Sequence, residues 1–381
     1  MEYNSRTPMK VSGLNVITAV AAGDYHTVAL KSDGTLTAWG YNGYGQLGDG
    51  SVSQRITPVE VIGLRGVAAV AAGYGHSVAL KKDGTVWTWG YNGIGQLGDG
   101  STSQRTSPVQ VIGLDGITAI TAGDYHTVAL KDDGTVWAWG DNDFGQLGDG
   151  STIRRIAPSQ VSGMTGITAI AAGDYHTVVL KNDGTVWAWG DNGIGQLLVG
   201  SKSQKTTPTQ IPGLSGIIAV AAGYGHTVAL KNDGTLWSWG DNGIGQLGDG
   251  TFINRTTPVQ VVGLNNMIAV TVGDYHTVAM RSDGTLWSWG YNGFGQLGDG
   301  RTTNRPAPVQ VPGVSGVTTF SAGNYHTVAL KNDGTVWCWG YNGVGQLGNR
   351  AVWQDTEEQL NPAVLQCADL TASHFDNHMA A

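Results

Sequence analysis

Ala22-Gly23-Asp24-Tyr25-His26-Thr27-Val28-Ala29-Leu30-Lys31-Ser32-Asp33-Gly34-Thr35-Leu36-Thr37-Ala38-Trp39-Gly40 is the stretch on which the reading of this chain turns. His26 to Lys31 alternates apolar with polar or small side chains, the period of a β-strand. The Asp33-Gly34 pair supplies the positive-φ positions of a tight hairpin, and Leu36 to Trp39 returns as the next strand. Upstream, Ile17 to Ala22 is a short small-and-branched run ending at Gly23, a further strand. Downstream, Tyr41 to Thr57 is rich in Gly, Asn, Asp and Ser and reads as a long surface loop. A fourth strand follows at Pro58-Val59-Glu60-Val61, and its leading proline suits an edge position, where a missing N–H costs no ladder bond.

That unit recurs. Seven 50-residue blocks starting at residues 1, 51, 101, 151, 201, 251 and 301 align without a gap, and fourteen columns are identical in all seven. Four short antiparallel strands per unit, seven units and no helical periodicity predict an all-β, seven-bladed β-propeller, because radial closure removes exposed sheet edges. Residues 1–350 are expected to form this single domain and residues 351–381 a C-terminal tail, disordered over about its last ten positions. Closure needs both termini in one blade. Pro8 to Val11 and residues 361–366 are the two candidates, and the first is the better registered. Block one carries Thr37 where the others carry the first Trp of a Trp-x-Trp pair, so its interface is expected to be looser.

Composition narrows the function. With 60 glycines in 381 residues, about 16%, the chain is glycine-rich, yet 14 Trp and 13 Tyr can build a core. The net charge of −8 with no basic block argues against nucleic acid as a partner. Cys338 and Cys367 have no metal or redox spacing, and no apolar run suits a signal peptide or a membrane span. A soluble monomer without a cofactor is expected; the sequence sets no compartment.

From Ala22 to Leu30, through Asp33 to Leu36 and Trp39-Gly40, to Gly45-Gln46-Leu47-Gly48, the unit resembles the repeat of the regulator of chromosome condensation family, over about residues 8 to 350. The resemblance implies the same seven-bladed fold. It also implies two functional alternatives: guanine-nucleotide exchange on a small GTPase, and inhibition of an enzyme through loop aromatics. The founding member works partly through an inserted β-wedge, and no block here carries an insertion. The tryptophans with which a light-sensing relative precedes the repeat histidine are also absent.

His26, His76, His126, His176, His226, His276 and His326 share one register, but blades about 10 Å apart cannot share a metal with ~2 Å bonds, so these imidazoles are expected to stitch blades by hydrogen bonds to backbone. No metal site and no catalytic set emerge, since every candidate acid, base or nucleophile is repeated sevenfold. Function is therefore sought where the copies differ. Column 41 of the repeat holds Tyr41, Tyr91, Tyr291 and Tyr341 on one arc of the ring and Asp141, Asp191 and Asp241 on the other. Tyr suits interface anchors and Asp suits charge steering. Columns 24 and 25 add Tyr25, Tyr125, Tyr175, Tyr275 and Tyr325, with Tyr-Gly in blocks two and five. The expected function is a non-enzymatic interaction scaffold, with protein the expected partner and carbohydrate stacking an open alternative for the second ring.

Overall fold

Gly34 takes φ +79°, a left-handed value that a side chain resists, and the Asp33 carboxylate accepts from Thr35 N at 2.9 Å and Thr35 Oγ1 at 2.7 Å. This Asp-to-Thr clasp closes the corresponding hairpin in every repeat. Around it the first repeat forms four antiparallel strands in chain order: Ile17–Ala22, His26–Lys31, Leu36–Gly40 and Arg55–Glu60. The outer strand begins at Arg55, three residues before Pro58. The proline falls in the register shift between the Ala38–Val59 and Gly40–Arg55 pairs, which an edge strand tolerates.

Seven such sheets stand around an axis in this computed structural model, which describes residues 3–197 and 202–349. The innermost strands line the axial channel. The seventh blade takes Val317–Ala322, His326–Lys331 and Val336–Gly340 from the last repeat and its outer strand, Ser5–Lys10, from the first, with Met9 opposite Cys338 and Lys10 opposite Trp337. Residues 361–366 and the rest of the tail lie outside the described residues.

Packing explains the two tryptophan columns separately. Trp39 and its six counterparts are fully buried between blades, and each indole Nε1 donates to a Gln carbonyl of the preceding blade at 2.8–3.0 Å. Trp87 and its equivalents are half-buried near the hairpins and donate to a Thr hydroxyl. Thr37 replaces only that half-buried ring. The interface between blades seven and one keeps Trp39, Val11, Cys338 and Leu347 in its core, together with the cross-blade bond Trp39 Nε1 to Gln346 O at 2.9 Å.

Each repeat histidine places Nε2 at 2.8–3.2 Å from the hydroxyl of Ser77 or its Thr counterpart in the next blade. The stitch therefore runs to a side chain, where the sequence pointed to backbone. That hydroxyl spends its single proton on a Gln carbonyl (Ser77 Oγ to Gln46 O, 2.9 Å), so the imidazole must donate from Nε2 and leave Nδ1 bare. Burial holds these histidines neutral, down to about 3 for His26 and about 4 for His176.

Candidate functional site

The loops that hold columns 24 and 41 lie on one face, because the second and third strands of each blade pair in register from His26–Gly40 onward and Tyr41 N donates to Tyr25 O at 2.8 Å. The long loop after Gly40 is tightly built. Asn42 is buried; its Oδ1 accepts from Leu47 N, and its Nδ2 donates to Asp49 Oδ1, Ser51 O and Ser53 O. Asp49 is held by Arg55 at 2.7 Å and by Ser51, so its carboxyl sits below the usual range. Such loops present side chains from a rigid platform.

Columns 24 and 25 set a belt of tyrosines around the channel mouth. Tyr325, Tyr25, Tyr74, Tyr125, Tyr175, Tyr224 and Tyr275 follow one another, with successive centroids 5.4–6.4 Å apart wherever two rings meet. In blocks two and five the tyrosine moves one residue earlier, to Tyr74 and Tyr224, and still joins the belt. Burial pushes up the phenols of Tyr25, Tyr74, Tyr125, Tyr175 and Tyr275, and that of Tyr224 to about 12.

Column 44 adds what the sequence reading did not single out: Tyr44, Ile94, Phe144, Ile194, Ile244, Phe294 and Val344, all half-buried. The available signal was an apolar residue in every copy of an otherwise polar loop. Through these residues column 41 joins the belt. Tyr291 meets Phe294 and Phe294 meets Tyr341; Tyr341 meets Tyr25, Tyr25 meets Tyr74, Tyr74 meets Tyr44, and Tyr44 meets Tyr91 at 4.9 Å. The result is a continuous aromatic arc over blades six, seven, one and two. Twelve of the thirteen tyrosines belong to columns 24, 25, 41 and 44 of this face.

The complementary arc is different in kind. Asp141, Asp191 and Asp241 each accept a bond from Nε2 of their own blade's Gln146, Gln196 or Gln246 at 2.8–2.9 Å. Asp141 is also paired with Arg154 at 3.0 Å and is only 5% exposed, which leaves it little charge to offer a partner. In four blocks with tyrosine, the equivalent atom of Gln46, Gln96, Gln296 and Gln346 is buried without an acceptor among the described residues. Aspartate satisfies this amide and tyrosine does not.

Inside the belt, Asp24, Asp124, Asp174 and Asp274 line a cavity of about 60 Å³ on the axis, beside the ring of Gly23 and its counterparts. Burial first, then mutual repulsion, raises the carboxyls of Asp24, Asp174 and Asp274; burial raises Asp124 to about 6. These groups and the histidines act oppositely on acid stability. Histidines neutral to about 3 in the fold but titrating near 6.5 when unfolded lose stability as pH falls below 6.5, about 1.4 kcal/mol per pH unit each. The four raised carboxyls gain protons in the fold and offset at most four of seven. Stability to urea should therefore fall between about pH 6 and pH 4.5, by a net three protons or so. A midpoint that is flat or rises over that window contradicts the account.

The class defined by this fold is an RCC1-like propeller. Residues 2–223, more than half of the chain, match the RCC1-like domain, and residues 233–280 and 283–330 match the regulator of chromosome condensation (RCC1) repeat; a second description of that repeat matches 217–246, 267–296 and 317–346. The chain belongs to this family. Among solved structures it is similar to human WBSCR16 (23% identity, 86% of this chain and 90% of that one, TM-score 0.78). It is similar also to Prp20p from Saccharomyces cerevisiae (24%, 85% and 82%, TM-score 0.73). The ectodomain of the Arabidopsis thaliana receptor kinase ACR4 shares the fold more loosely (17%, 90% and 100%, TM-score 0.53). Among the described residues no helix is long and apolar enough to cross a membrane.

Proposed function

We propose that the protein is a non-enzymatic binding propeller that docks a protein partner on the aromatic arc of blades six, seven, one and two. The observation that carries this reading is the cost of the arc. Each of Tyr41, Tyr91, Tyr291 and Tyr341 stands where aspartate in the other blades satisfies a buried glutamine, and an unsatisfied buried amide costs about 1–3 kcal/mol. A side chain that sacrifices stability and joins a half-exposed aromatic surface has the character of an interface anchor. Prp20p, of the same fold, has been studied for its binding to Gsp1p and histones, and Kap60 binds yeast RCC1 (Prp20); both support protein as the partner class. Exchange on a small GTPase is the finer alternative, and accelerated release of labelled guanine nucleotide would favour it; a stoichiometric loss of a target enzyme's activity would favour inhibition.

The test is the variant in which Tyr41, Tyr91, Tyr291 and Tyr341 all become Asp, giving every blade the same residue. Its melting midpoint should equal or exceed that of the parent, because four glutamines regain an acceptor, while capture of the partner falls at least tenfold. A variant that melts lower and binds as well overturns the reading.

A further inference from the structure

The acidic channel mouth is not used by the proposed docking arc. Column 24 side chains converge on the axis: carboxylate oxygens of Asp24, Asp124 and Asp274 lie within 4.8 Å of one another, although these residues come from blades one, three and six. Oxygens about 2.3–2.6 Å from a calcium ion can be at most about 5 Å apart, so these three can share one ion. Asn324 stands between Asp274 and Asp24 in the ring and is 8% exposed. Its Nδ2 lies 3.4 Å from Asp24 Oδ2, and its fully buried Oδ1 has no hydrogen-bond partner among the described residues. A buried amide oxygen without a donor, on a side chain whose Nδ2 lies against the Asp24 carboxylate, is a ligand atom without its counterpart. The donors are all hard oxygens, and the cavity of about 60 Å³ leaves room for an ion with bound water.

We propose that the channel mouth binds a hard divalent cation of the calcium class, ligated by Asp24, Asp124, Asp274 and the Oδ1 of Asn324, with Asp174 and water completing the shell. The cation would relieve the repulsion among carboxylates held within 4.8 Å of one another. It also ties blades one, three, six and seven at the axis, and so stabilises the closed ring.

The experiment compares the full chain in EDTA and in calcium chloride at pH 7.5, by thermal melting and by terbium luminescence excited through the surrounding tyrosines. At a hundredfold excess over Kd the midpoint should rise by about 3 °C, and terbium emission should be sensitised and then displaced by calcium. The triple variant Asp24→Asn, Asp124→Asn, Asp274→Asn should lose both responses. Removal of repelling charges keeps its midpoint in EDTA at or above that of the parent. A calcium shift retained by the variant overturns the proposal. So does a parent protein with neither a calcium shift nor sensitised emission, a result that needs no variant to fold.

Discussion

A chain shortened to begin at Val11 should melt far below the parent and lose its single cooperative transition. The segment removed, Ser5–Lys10, is the outer strand of the seventh blade and, among the described residues, the strand by which the first repeat completes the last sheet. It pairs with Val336–Gly340, and its Arg6 carbonyl accepts from Gly300 N at 2.9 Å, so it also anchors the long loop of blade six. Roughly five hydrogen bonds at about 1 kcal/mol each set a loss of about 5 kcal/mol. An exposed third strand in blade seven would add an aggregation edge. Calorimetry should show a broadened transition at lower temperature, and limited proteolysis should cut first in blade seven. An unchanged midpoint would mean that the ring holds without this strand.

The second large effect concerns the axis. A Cβ at Gly123 would overlap the carbonyl oxygen of Gly173 in the next blade and stand 2.6 Å from His126 Cε1. The same glycine-to-carbonyl approach runs around all seven blades, ending at Gly323 against Gly23. The requirement here is space, since the obstruction is neighbouring backbone and the imidazole that stitches the blades. Gly123→Ala must separate blades three and four and should cost 4 kcal/mol or more, at the extreme of single substitutions. Gly63→Ala is the control. There φ is +72° and nothing lies within 4 Å of the added carbon, so the cost is only that of the left-handed backbone, about 1 kcal/mol. Equal effects of the two would refute the close-packed axis.

The blades were legible because their signals are local. Asp33-Gly34-Thr35 encodes the turn, the alternation from His26 encodes the strand, and the 50-residue period carries both around the ring. Other features depend on radial geometry, which a linear reading does not contain. Blade spacing argues against a metal shared by the histidines, yet column 24 lies at the axis, where residues fifty or more positions apart become neighbours. Asp24 and Asp274 are far apart in sequence and within ligand reach in space. The split of column 41 between Tyr and Asp was visible, but its meaning was not. It required the partner, Gln46 and its counterparts, whose identity in all seven repeats was the overlooked signal. Asp141, Asp191 and Asp241 suit charge steering on sequence grounds. Their carboxylates are occupied within their own blades.

The central claim is that the aromatic arc is the docking surface, and affinity capture with three proteins tests it most directly. These are the parent, the variant with aspartate at positions 41, 91, 291 and 341, and a variant of the opposite face with Asp83 and Asp133 changed to Ala. The account predicts that a partner held by the parent is lost by the first variant alone, with melting midpoints showing that all three are folded. A partner retained by the arc variant, or lost only from the opposite face, would contradict it.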